Sequence, residues 1–208
     1  MDVFAPFSIP LLSTKIDCDF TELRKDTRFV YNRGQADSKY SPDNHRILES
    51  YPELKKDLLE ESLKYIELIG LTRDYAITTS WLTKSCKGES ITVHHHKNCQ
   101  FSGVLYYGED YTDANPLILI NPTSAIDNFE QPPVCSTGLF SDFQIIPQTG
   151  MLIVFPFFIK HFMDRQEKDV TRHSLAFNIH PTKVIGVGDS KVDIKCFIKN
   201  GNTINIPV

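Results

Sequence analysis

The sequence has no long hydrophobic run. Its longest, residues 151–159, is interrupted by Pro156 and falls far short of the roughly 20 residues that cross a bilayer. Cysteine pairing signals are also missing: Cys18, Cys86, Cys99, Cys135 and Cys196 are scattered, odd in number and without CxxC spacing. That pattern suits reduced thiols, with Cys99 a small packing residue, better than a disulfide framework. Basic excess is absent, with 22 Lys+Arg against 26 Asp+Glu and a net charge of −4, which argues against a nucleic-acid partner. The first residues lack the basic start and apolar stretch of a secretory signal, and no repeat or low-complexity tract occurs. The expectation is one globular domain over residues 1–208, cytoplasmic and with no membrane partner.

Hydrophobic periodicity supplies an architecture. Ser50 and Glu53 read as a capping box, Pro52 as a first-turn residue and Gly70 as a stop. Between them Leu54, Leu58, Leu59, Leu63, Ile66 and Ile69 form a stripe at spacings of three and four, which predicts a helix packed on a sheet. Short β-type runs follow at 75–82, 90–96, 101–107, 117–120, 143–146, 151–155 and 173–180, with no helices between them. This predicts a mainly β fold, an antiparallel barrel or jelly roll backed by an N-terminal helix, with its core at about residues 74–180. Residues 3–12 read as an extended edge, 31–47 as a surface loop, and 192–198 with 203–206 as a hairpin. The long stretch 121–141 reads as a loop that closes over a bound substrate.

Chemistry concentrates in the histidines. His94, His95 and His96 end a predicted strand, where alternation turns His94 and His96 to one face and His95 to the other, against the apolar layer of Ile91 and Val93. Imidazoles at i and i+2 reach one metal ion from the same side, and imidazole suits Fe, Zn, Ni and Cu. His161 lies 65 residues on, after the apolar run ended by Pro156. Arg172 then heads a strand on which Arg172, Ser174, Ala176 and Asn178 share a face. A guanidinium beside a hydroxyl is a clamp for a carboxylate, because Arg donates two parallel hydrogen bonds and keeps its charge.

Taken in order, His-x-His, then Phe-Ser-Gly-Val-Leu-Tyr-Tyr (101–107), then Gly-Met-Leu-Ile-Val-Phe-Pro (150–156) leading to His161, then Arg-His-Ser-Leu-Ala-Phe-Asn (172–178) resemble the Fe(II)- and 2-oxoglutarate (2OG)-dependent oxygenases. More narrowly they resemble those of cyanobacterial tailed phages, which would place the protein in the host cytoplasm. The resemblance covers about residues 74–180 and implies a double-stranded β-helix (jelly roll). It implies that His94 and His161 ligate Fe(II), with His96 where most members carry Asp or Glu, and that Arg172, Ser174 and Tyr106 hold the distal carboxylate of 2OG. Asn98 and Asn178 are expected to support the imidazoles or the cosubstrate. It further implies a dioxygenase that consumes dioxygen and 2OG to hydroxylate an organic or peptide substrate, with a prolyl side chain as first candidate.

Other readings stay open at this point. Glu109, Asp110 or Asp113 is a candidate source of an acidic third ligand. Three histidines with a bound water also suit a zinc hydrolase or lyase, and the same barrel serves non-catalytic, cupin-like binding proteins. Taken singly, His161 or Arg172 reads as an ordinary packed or ion-paired residue, and His45, His95, His173 and His180 keep that reading.

Overall fold

The computed structural model describes residues 8–25, 29–31, 39–41, 45–122 and 142–194. A large antiparallel sheet contains β1 (Leu12–Lys15), β9 (Met151–Pro156), β6 (Phe101–Tyr106), β11 (Arg172–Pro181), β4 (Tyr75–Ser85), β3 (Lys39–Tyr40) and β2 (Val30–Tyr31), in that spatial order. A smaller one contains β5 (Ile91–His94), β10 (His161–Met163), β7 (Leu117–Leu119) and β8 (Phe143–Ile145). Helix α1 (Thr21–Arg24) is a single turn, α2 (Pro52–Leu68) is the long helix, and β12 (Val184–Ile185) pairs with β13 (Val192–Asp193). This is the jelly-roll arrangement expected from the sequence.

Alternation along the large sheet builds two cores at once. Leu105, Leu152, Val154, Leu175, Phe177 and Ile179 point outward beneath Leu58, Leu63, Tyr65 and Ile66 of α2. Val104, Tyr106, Ile153 and Phe155 point inward and meet Leu117, Leu119, Ile145 and Ile159. The inward face of β11 is the exception to apolar filling. There Arg172, Ser174, Ala176 and Asn178 border a cavity of about 620 Å³ between the sheets.

Gly103 shows how close the outer layer packs. It pairs with Phe177 across β6 and β11, and a Cβ there would lie 2.2 Å from the Phe177 Cζ. Gly103→Ala should therefore destabilise the protein by about 1–3 kcal/mol or more, read as a lowered urea midpoint with an unchanged slope.

Several local expectations need correction. The cap of α2 is Tyr51, with no side-chain cap hydrogen bond, so Ser50 and Glu53 make no capping box; residues 47–50 are instead wound into a 3-10 turn. Gly70 does end the helix, at φ 89°, with its N–H donating to the Glu67 carbonyl and that of Leu71 to Ile66. The surface loop expected at 31–47 contributes β2 and β3, two-residue strands too short to leave a periodic signal. The first edge strand starts at Leu12, where the 3–12 segment was expected to end. At the other end, Val192–Asp193 pairs with Val184–Ile185; residues 195–208, and with them the other half of the expected hairpin, lie outside the described residues. The expected lid at 121–141 is outside them from residue 123 onward. No helix among the described residues is long and apolar enough to cross a membrane.

Candidate metal centre

Two of the three histidines are brought together by strand pairing. β5 and β10 are antiparallel neighbours in which His94 and His161 stand directly opposite each other, and their ring centroids are 4.2 Å apart. His96 arrives by another route. β5 ends at His94, so His96 lies beyond the strand and is drawn in by a hydrogen bond of 2.7 Å between its Nδ1 and Asn178 Oδ1 on β11. Alternation pairs His94 with His96, but the strand stops short of His96. One ligand nitrogen from each of His94, His96 and His161 falls within 4.8 Å of the other two.

The hydrogen bonds decide which nitrogen faces the centre. His94 Nδ1 donates to the Thr92 carbonyl at 2.8 Å and His161 Nδ1 to the Ile159 carbonyl at 3.0 Å. A carbonyl only accepts, so in both neutral rings the proton sits on Nδ1 and the Nε2 lone pair is free. Asn178 does the same for His96: its amide nitrogen donates to Thr79 Oγ1 at 2.9 Å, leaving Oδ1 to accept from the ring. Burial lowers the pKa of all three, most for His161, where His94 and His96 add like-charge repulsion; His94 is lowered in the same sense, and His96 falls to about 4. Three neutral imidazoles with converging lone pairs are a metal-binding set. Asn178→Ala should cost about 10–100-fold in metal affinity, measured by titration with Ni(II).

Acid should act on the metal-free fold. His96 and His173 both sit at about 4, below their ordinary 6.5, so between those values the unfolded chain binds more protons. Stability is then complete above pH 6.5 and is lost as pH falls toward 4. Urea midpoints at pH 7, 5.5 and 4.5 should decline in that order.

Arg172 lines the same cavity. Its side chain is 2% exposed. One terminal nitrogen donates to Tyr106 Oη at 2.8 Å, and the guanidinium lies over the Tyr106 ring, 4.8 Å from its centroid. Among the described residues its Nε is buried without a hydrogen-bond partner. Ser174, 4% exposed, sits opposite Tyr106 in the strand register. Burial raises the Tyr106 pKa, which keeps the phenol a donor.

The remaining candidates divide. Asn178 joins the site, whereas Asn98 is exposed in a turn at φ 56° and does not border the cavity. None of the three acidic candidates is in the histidine group: Glu109 pairs with Arg24 at 3.5 Å, Asp110 caps the turn at Thr112, and the Asp113 carbonyl accepts from Gln166. His95 does not pack on an apolar layer; it is exposed at the cavity mouth, and Val93 beside it is 53% exposed. Sequence reasoning did not single out Thr79, Trp81 or Lys97. Thr79 and Trp81 sit inward on β4, and that face is legible from alternation only once β4 is known to flank β11.

Residues 79–178, just under half of the chain, match the sequence model of a family described as "Putative 2OG-Fe(II) oxygenase". No curated protein matches the sequence. Among solved structures, HygX from Streptomyces hygroscopicus, crystallised with nickel and 2-oxoglutarate, superposes at a TM-score of 0.56 with 11% identity, over 84% of each chain. A Pseudomonas putida prolyl-4-hydroxylase gives 0.52 at 14% identity, over 84% of this chain and 94% of that one. With an oxidoreductase of the 2OG-Fe(II) oxygenase family from Burkholderia pseudomallei the identity is 18% and the TM-score 0.41. There the match covers 56% of this chain and spans about half, 49%, of the Burkholderia protein. At such identities the likeness is one of fold.

Proposed function

We propose that this chain is a non-haem Fe(II)- and 2OG-dependent dioxygenase that hydroxylates an organic substrate, with a prolyl or other amino-acid side chain as the first candidate. Arg172 carries the reading. A guanidinium enclosed in a protein interior needs an anion, and no acidic side chain borders the cavity among the described residues. A dicarboxylate that reaches from the three imidazoles to Arg172 supplies that anion. A zinc hydrolase would leave the buried charge without a purpose.

His94, His96 and His161 would hold the metal through Nε2, their Nδ1 protons fixed by Thr92, Asn178 and Ile159. Arg172 would receive the distal carboxylate on the nitrogens that Tyr106 leaves available, with the Tyr106 hydroxyl and that of Ser174, which lines the same cavity, as further donors. The walls formed by Val104, Leu117 and Ala176 limit water at the reacting centre. The chemistry supplied by bound ferrous iron with 2OG and dioxygen is oxidative decarboxylation of the cosubstrate to succinate, coupled to hydroxylation of a C–H bond. The family match over residues 79–178 supports the same assignment.

Anaerobic addition of Fe(II) and then 2OG should produce the weak visible charge-transfer band of the chelate, and admission of oxygen should release succinate. A protein that binds Zn(II) but gives neither band nor succinate would overturn the proposal. Prolyl specificity is tested separately, by mass spectrometry of proline-containing peptides for a gain of one oxygen atom.

A further inference from the structure

The cavity has a cationic mouth as well as a cationic floor. Arg172 is deep and already engaged with Tyr106. At the exposed end stand Lys97, His45 and His95, with the half-buried rings of Tyr40 and Trp81 beside them. Among the described residues Lys97 makes no ion pair, although the protein as a whole is acidic at −4. A positive cavity on a negative protein focuses field lines toward one kind of ligand.

Charge balance sharpens the point. Neutral imidazoles contribute no charge, so a ferrous ion keeps both of its positive charges, which dianionic 2OG cancels. With Arg172, whose partner is the distal carboxylate, and Lys97 counted as well, the loaded cavity keeps a net charge of +2. A neutral substrate would leave that excess in place, whereas an acidic one offsets it.

We infer that the substrate carries an anionic group, a carboxylate or a phosphate, which docks against Lys97 at the mouth while the rest of the molecule extends toward the metal. This inference rests on the oxygenase reading of the site and adds a substrate class to it. Lys97 is a specificity residue in this scheme, because an ammonium on a flexible stem attracts an anion as a point charge without demanding one geometry.

Trp81 provides the readout. It is the sole tryptophan, and its ring centroid is 5.2 Å from that of His96. The full chain is loaded with Ni(II), which quenches Trp81, and then with saturating 2OG, retention of which is checked by ultrafiltration. Failure at either loading step refutes the oxygenase reading itself. Loaded protein is then titrated with N-acetylglycine, methyl phosphate and the neutral N-acetylglycinamide.

At least one anion should bind about tenfold or more tighter than the amide, an advantage that shrinks in about 0.5 M salt; the tighter anion identifies the group. Lys97→Gln should remove the advantage, whereas Lys168→Gln, exposed and away from the cavity, should keep it. Equal binding of amide and anions, an anion preference that survives Lys97→Gln, or anions that bind only by releasing 2OG would each overturn the inference while leaving the oxygenase reading intact.

Discussion

Arg172→Met should severely weaken 2OG binding while leaving the metal-free protein as stable as before, or more so. Cosubstrate affinity should fall about 30-fold to a few thousandfold, since losing one partner of a buried, hydrogen-bonded charge pair costs about 2–5 kcal/mol. Stability should respond in the opposite sense. Without 2OG the guanidinium has, among the described residues, an Nε with no partner and the hydroxyl and ring of Tyr106 for compensation. Methionine of similar reach removes that burden, and such exchanges are neutral or stabilising by about 1–4 kcal/mol. Chemical denaturation of the metal-free variant and 2OG titration of the Ni(II)-loaded variant test the two halves. A variant that unfolds while the wild type does not would make Arg172 a structural residue.

The second large effect belongs to the imidazoles. His161→Ala should lower metal affinity by more than the about 10–100-fold expected for a supporting residue, with loss of metal-induced Trp81 quenching. His161 is 3% exposed and packs edge-on against Phe155, with ring centroids 5.0 Å apart, so a denaturation curve must accompany the titration to separate binding from folding. His96→Asp makes a finer test. It replaces a neutral donor with an anion and removes one unit of positive charge from the loaded centre. Metal binding should survive, and the affinity for dianionic 2OG should fall by Coulomb's law. Unchanged 2OG affinity would mean that His96 is not a ligand.

Much of this was legible in the sequence because strand alternation is local. The face shared by Arg172, Ser174, Ala176 and Asn178 follows from period two, and all four border the cavity. The helix stripe is equally local, and Leu58, Leu63 and Ile66 are buried as it requires. What escaped depends on partners distant in the chain. β10 is three residues long and exists through its pairing with β5 and β7, so the segment after Pro156 gave no strand signal. The tether of His96 to Asn178, 82 residues away, is encoded by no periodicity, and the expectation that Asn178 supports an imidazole came from the family resemblance. Asn98, expected from the resemblance to support the site, has a left-handed backbone and does not border the cavity.

The division of the site between two sheets has a mechanical consequence. His94 and His161 belong to the small sheet, whereas His96 is tied through Asn178 to β11 of the large one, the strand that also carries Arg172. An ion held by all three rings is therefore a clasp across the sandwich, and a dicarboxylate reaching Arg172 adds another. Amide hydrogens of β5, which among the described residues has a neighbouring strand on one side, should exchange with deuterium most slowly when both ligands are bound, and fastest after chelation strips the ion away.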